Sequence, residues 1–310
     1  MTKIILLIVI ICLLIMPNTY VFAQDKDPVT LCIKGITLFF DDRPNEALPY
    51  LEAGFAGLEN ANFPDINDMG LCAVALGLLR DGKSDWSGAL EAYAVALDVF
   101  SRTGERQFEG VTLNNIGVVY QKQGRYEEAL AKFNEQLDID RELKNRISEG
   151  RTLSNIAAIY QSQGRYENAL TIFEMALDIA RKTDDRESEA VNLNNIAVIY
   201  SSQGRYDEAL ITYEASLAIY RQIDHQAGIG TALSNIAGIF HTQGRYAEAI
   251  MTFELSLDIR REIGDRSGEG ITLNNIAGVF ESQEQYVEAL ALYEEALVIM
   301  RELGNVLGEA

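Results

Sequence analysis

Two histidines, three cysteines, five prolines and one tryptophan in 310 residues leave several kinds of chemistry without material. With so little proline and an apolar fraction of 48%, the chain is not of the polar kind that stays disordered. Base is scarce too: 26 Lys and Arg stand against 46 Asp and Glu, a net charge of −20. Phosphate backbones bind by releasing counterions to a basic surface, so this balance argues against nucleic acid as a partner. It argues equally against an anionic membrane surface. The acidic excess reads as a solvated exterior that keeps a long protein soluble.

Long apolar runs are confined to the start. In "MTKIILLIVIICLLIMPNTYVFAQ", Lys3 precedes an unbroken run from Ile4 to Met16, Pro17 and Asn18 end it, and Val21-Phe22-Ala23 offers a cleavage sequence before Gln24. Residues 1–23 therefore have the layout of a secretory signal peptide. The run falls short of the roughly 20 apolar residues of a membrane span, so an uncleaved, tethering signal anchor is the alternative. No Cys follows a Leu-x-x pattern, which leaves no lipoprotein signal. The mature chain is expected to begin near Gln24, in the periplasm or outside the cell. Cys12 leaves with the signal, and Cys32 and Cys72 remain where disulfides persist. They fall early in the first helices of adjacent units, which makes a bridge feasible. Because the first unit is about two residues out of step, two free buried thiols are the expectation.

What the chain has in abundance is one phrase. Gly124, Gly164, Gly204 and Gly244 recur at an interval of 40, each followed by Arg-Tyr. Five strong units run 109–148, 149–188, 189–228, 229–268 and 269–308. Residues 24–108 hold two degenerate copies: one at 69–108, with Gly77, Trp86, Ala89, Tyr93 and Leu97 in key positions, and one from near Val29. Within a unit the period is helical: Leu193, Ile196, Ala197 and Tyr200 form one stripe, and Tyr206, Ala209, Leu210, Tyr213 and Leu217 a second. Gly204 suits a left-handed helix stop and Asp265 an N-cap. Each unit is thus a helical hairpin, with Ala197 and Ala209 allowing close approach and Tyr200 and Tyr213 filling the space beyond.

In this form the phrase resembles the tetratricopeptide repeat in a longer, 40-residue version, on Leu153, Ala157, Tyr160, Ala169, Phe173 and Ala176. The usual closing Pro is missing. A similar "LNN" form occurs in kinesin light chains and in bacterial arrays preceding a caspase-like CHAT peptidase domain. The resemblance implies an all-α, right-handed superhelical solenoid of about seven antiparallel helix pairs that binds a protein or peptide in its concave groove. It leaves open a regulatory or substrate-presenting arm of a larger peptidase, or a self-associating structural solenoid. In the last unit Glu284-Gln285 replaces Gly-Arg. Glu309-Ala310 repeats the "EG/EA" that opens other units, so a further copy is expected to begin there and to be truncated. The last helix would then show Leu290, Leu292, Tyr293, Leu297 and Ile299 to water, and self-association through that end is one expectation.

No catalytic or metal constellation emerges, and no cofactor is implied. His225 reads as a surface residue in a turn between units. With units about 10 Å apart, Cys72 and His241, four units from each other, cannot meet. Glu-rich stretches such as "YEEAL" suit solvation and pairing with Arg141 or Arg301, and no phosphate loop is present. The binding candidates are amides. Asn115, Asn155, Asn195, Asn235 and Asn275 hold one first-helix position, and Asn114, Asn194 and Asn274 the one before it. Asn is a mediocre helix former, so its recurrence needs a reason. Either the amides form a ladder between stacked helices, or they grip an extended peptide backbone, as the family resemblance implies. The neighbouring positions are small, neutral or weakly polar, and none is Lys or Arg: Val118, Ala158, Val198, Gly238 and Gly278, then Gln121, Gln161, Ser201, His241 and Glu281. That argues against a basic clamp for acidic peptide tails.

Overall fold

The computed structural model describes residues 27–41, 43–60 and 66–304. Residues 1–26 and 305–310 lie outside them, and with them the expectations about cleavage, anchoring and a repeat beginning at Glu309. Among the described residues no helix is long and apolar enough to cross a membrane.

Among the described residues fourteen α-helices follow one another in pairs. They are α1 (Pro28–Phe40) with α2 (Pro44–Asn60), α3 (Ile66–Gly82) with α4 (Trp86–Thr103) and α5 (Arg106–Lys122) with α6 (Tyr126–Glu142). Then come α7 (Arg146–Ser162) with α8 (Tyr166–Lys182) and α9 (Arg186–Ser202) with α10 (Tyr206–Gln222). The last are α11 (Gln226–Thr242) with α12 (Tyr246–Glu262) and α13 (Arg266–Ser282) with α14 (Tyr286–Glu302). The chain is the all-α stack of helix pairs that its period implies. It forms two compact bodies, Met1–Asn145 and Arg146–Ala310. Inside each, partners pack along their length and the second helix of one pair meets the first of the next.

The first helices of the strong units begin before the sequence frame of 109, 149 and so on, because the capping residues stand earlier. Asp265 accepts from the Gly268 N–H at 2.8 Å and is the N-cap its sequence suggested. Asp185 does the same for Ser188. In the place of these aspartates His225 caps α11, its Nδ1 accepting from the Gly228 N–H at 2.9 Å.

Within α9 and α10, Ala197 and Ala209 are fully buried, with Leu193, Ile196, Tyr213 and Leu217 around them. Burying each large apolar side chain of this kind contributes about 1.5–3 kcal/mol. Tyr200 packs against this cluster from its edge. It stays half-buried and carries the Arg205 guanidinium 4.1 Å above its ring. Arg125 on Tyr120, Arg165 on Tyr160 and Arg245 on Phe240 repeat the contact at 4.2, 4.3 and 4.1 Å. The turn between explains the recurrent Gly-Arg. Gly204 has φ +74°, its N–H reaches the Ser201 carbonyl, and the Arg205 N–H reaches the Tyr200 carbonyl, both at 2.9 Å. This doubly bonded stop is the Schellman arrangement, which favours glycine at the left-handed position. Arg205 is held further by Glu208, Arg125 by Glu128 and Arg245 by Glu248.

Joints between pairs use the "EG/EA" glutamates. Glu189 is buried between Arg181 (3.0 Å) and Arg186, and Glu269 between Arg261 (2.8 Å) and Arg266 (2.7 Å). Burial alone would push the Glu269 carboxyl up; the hydrogen bonds from Arg261 and Arg266 outweigh it and hold the group below its ordinary 4.5.

The expectation of free thiols is corrected. Cys32 on α1 and Cys72 on α3 form a disulfide, their Cα atoms 5.6 Å apart. α1 packs against α3, and Cys32 and Cys72 are both buried, so the two thiols meet whatever the register of the first unit. On α14, of the five apolar residues named above, Ile299 is buried, Leu292, Tyr293 and Leu297 are half-buried, and Leu290 is exposed.

Candidate functional site

The second body contains a cavity of about 440 Å³ on its first-helix face. Residues 234, 235, 238 and 241 share one stripe of α11 by their helical spacing, and 274, 275 and 278 the matching stripe of α13. Asn235, Gly238 and His241 line the cavity from α11, and Asn274, Asn275 and Gly278 from α13. Ser201 closes it on the α9 side, and Tyr213, Phe253 and Tyr293 supply aromatic walls from α10, α12 and α14.

Of the eight candidate amides, the structure brings Asn235, Asn274 and Asn275 together here. Asn194 stands behind Asn235, whose Nδ2 donates to its Oδ1 at 2.9 Å, so one amide both ties neighbouring helices and lines the cavity. Asn155 and Asn195 are half-buried at equivalent positions without lining it. Asn114 and Asn115 belong to the other body. Sequence reasoning did not name Tyr213 and Tyr293 as binding candidates: it set Tyr213 in the space beyond the alanines and Tyr293 on a face shown to water, whereas both line the cavity. The available signal was a hydroxyl at 213 and 293 where 133, 173 and 253 carry Phe.

Space here comes from side chains that are lacking. A Cβ at Gly117 would lie 2.6 Å from the Phe133 ring, so packing demands that glycine. A Cβ at Gly238 would meet nothing within 4 Å, and one at Gly278 only ordinary contacts with Tyr293 and His241. Glycine inside a helix costs about 0.5–1 kcal/mol relative to Ala. At 238 and 278 the packing of the fold gives no return for that cost, and Val198 and Ala158 show that the position accepts a side chain.

The polar groups are ordered. His241 Nε2 lies 2.8 Å from Ser282 Oγ, and Ser282 Oγ donates to the Gly278 carbonyl at 2.9 Å. Tyr293 donates its hydroxyl proton to Glu281 Oε2 at 2.7 Å, and that bond, with burial, raises the Tyr293 pKa. Burial likewise raises that of Tyr213. The described residues contain no cluster of three or more His, Cys, Asp or Glu side chains that could hold a metal. Cys32 and Cys72 are consumed by each other, so neither serves as a nucleophile.

No curated protein matches the chain. Among solved structures, the apo form of RapI is similar at 16% identity and TM-score 0.71, covering 89% of this chain and 98% of its own. BtubC (BKLC) from P. vanneervenii is similar at 19% identity and TM-score 0.61, covering 71% and 92%. The Rap conjugation gene regulator of plasmid pLS20 in complex with the Phr* peptide is similar at 15% identity and TM-score 0.64, covering 89% and 74%. At these identities the likeness is one of fold. Residues 73–142, 108–182, 148–222 and 228–302 each match the tetratricopeptide repeat, and between them they span well over half of the sequence. The chain belongs to the tetratricopeptide repeat family.

Proposed function

We propose that the chain is an exported scaffold that holds an extended peptide, or an extended segment of a protein, against the first-helix face of its second body. The observation that carries this reading is the pair Gly238 and Gly278. They open a cavity at a cost in helix stability, where Asn235, Asn274 and Asn275 converge. An amide side chain both donates and accepts, so it can bond the N–H and C=O groups of a peptide whatever its sequence. The complex of the similar pLS20 regulator with the Phr* peptide supports the same use of this fold. Export is supported by the layout of residues 1–23 and by the Cys32–Cys72 disulfide, a bond that persists in oxidising compartments.

The test uses peptides selected from a random displayed library by the immobilised whole chain. Changing Asn235, Asn274 and Asn275 together to Ala is expected to weaken the selected peptides about tenfold or more, as the loss of several hydrogen bonds requires. Helicity should hold, since Ala is the better helix former. Unchanged binding in a folded triple variant overturns the reading. So does a selection that yields no binders.

A further inference from the structure

The cavity has a polarity that the general reading does not use. Ser282 has one hydroxyl proton, and it goes to the Gly278 carbonyl. Its contact with His241 Nε2 therefore makes that nitrogen the donor, and the neutral ring is left with Nδ1 as an acceptor. The Tyr293 proton goes to Glu281, which leaves the phenol oxygen able only to accept. Asn235 spends one of its two N–H groups on Asn194 and retains its carbonyl oxygen as an acceptor. Glu281 itself stands beside the cavity with a full negative charge. Its one partner among the described residues is the Tyr293 hydroxyl, a neutral group. No Lys or Arg lines the cavity. The site is thus rich in acceptors, walled by aromatic rings and unneutralised.

Building on the peptide-groove reading, we infer that this cavity takes the side chain of an arginine in the bound peptide. A guanidinium brings five N–H donors in a rigid plane and no acceptor, which complements His241, Tyr293 and Asn235 together with the Glu281 carboxylate. The same plane stacks on the face of a tyrosine ring such as that of the half-buried Tyr293. A glutamate or aspartate in this place would oppose the Glu281 charge, and the lining would offer it neutral amide and hydroxyl donors but no cation. An aliphatic side chain would leave those acceptors unbonded and buried. Gly238 and Gly278 supply the room, and a cavity of this volume lies within the range of about 300–1,000 Å³ that holds ordered small groups.

Selected peptides are expected to share an arginine. Replacing it by citrulline, which keeps the shape and removes the charge, should weaken binding about tenfold or more, the loss typical of a charge-assisted hydrogen bond. In the chain, Glu281→Gln alters one exposed side chain and should bring the arginine and citrulline peptides close to equal affinity. Gly238→Val, copying Val198, should lower affinity for both by filling the cavity. Peptides that need the three asparagines but bind equally with arginine, lysine or citrulline overturn the arginine site and leave the groove standing. Peptides indifferent to the asparagines overturn the groove, and the arginine site falls with it.

Discussion

The first two helix pairs and the pairs of the second body are solutions to the same packing problem by different means. In three of the four pairs of the second body the turn carries Gly and Arg, with the guanidinium on an aromatic ring, and buried glutamates join α8 to α9 and α12 to α13 through two arginines each. Among the described residues the early pairs show neither the Gly-Arg turn nor the doubly paired glutamate, although Arg43 and Glu46 pair across the first turn. Ser84 sits at φ +61° where others have Gly, Pro49 interrupts α2, and the buried Tyr93 hydroxyl has no hydrogen-bond partner among the described residues. A covalent bond between α1 and α3 stands in for those contacts. The difference teaches that a repeat array tolerates poor local fits where a crosslink limits the freedom of the unfolded chain.

The comparison breaks most visibly at the disulfide. Its cysteines are 40 residues apart, and closing a loop of that order stabilises a domain by about 2–5 kcal/mol. Because a stack of repeats sums neighbouring terms, the loss on reduction should be local. With the bond reduced, amides of Pro28–Asn60 should exchange much faster while those of Tyr206–Gln222 keep their protection, as read by hydrogen exchange with mass spectrometry. Intact mass of the exported chain checks the compartment at the same time: a start at Gln24 with the bridge closed. Protection that is equal in the oxidised and reduced chain would show that the early pairs stand without the crosslink.

A middle-sized effect belongs to the charged joint. Glu269→Gln keeps the shape and gives up two charge-assisted bonds, so it should cost about 1.5–3 kcal/mol at neutral pH. The arginine heads are half-exposed and screened, which favours the lower end. The pH dependence has a definite sign. A carboxyl whose folded pKa is depressed contributes its stability above the unfolded value, and loses it as pH falls through the folded one. For Glu269 the unfolded value is the ordinary 4.5, and the folded one lies lower. Thermal melts of wild type and variant should differ at pH 7 and converge as pH drops below 4.5. A gap that stays constant into acid would mean that the carboxylate contributes nothing through its charge.

Legibility in the sequence followed the range of the interaction. Ala197, Ala209, Leu193 and Leu217 could be read from helical spacing because five copies state the same local pattern. Gly204 and Asp265 could be read because stops and caps are local too. Arg205 against Tyr200 spans one turn and was visible only as a recurrent Gly-Arg-Tyr. Glu189 and Glu269 looked like marks of register, since nothing in a single unit says that arginines from two helices converge on them. The site was legible in part. The asparagine column lies on the face that carries the cavity, and of its members Asn235, Asn274 and Asn275 line it. What selects them is the lack of a side chain at 238 and 278 together with tyrosines from the opposite helices, a property of three successive pairs at once.

The smallest expected effect lies in the last turn, where the regular design lapses. Glu284 holds φ +61°, a left-handed conformation that costs an L-residue with a Cβ roughly 1–2 kcal/mol. Glycine removes that cost, but its greater freedom in the unfolded chain takes back about 0.5–1 kcal/mol. Glu284→Gly should therefore stabilise the α13–α14 hairpin by about 1 kcal/mol or less. Gln285→Arg should add about 0.5–1 kcal/mol more, the usual worth of an exposed cation on an aromatic ring. Both partners for that arginine are already in place: Phe280 corresponds to the Phe240 on which Arg245 lies, and Glu288 to the Glu248 that holds it. Hydrogen exchange of Tyr286–Glu302 reads the gain directly, and the double variant should approach the protection of Tyr246–Glu262. If Glu284→Gly leaves exchange unchanged while Gln285→Arg slows it, the Gly-Arg turn acts through the stacked guanidinium, and glycine's backbone freedom is incidental to the order of these repeats.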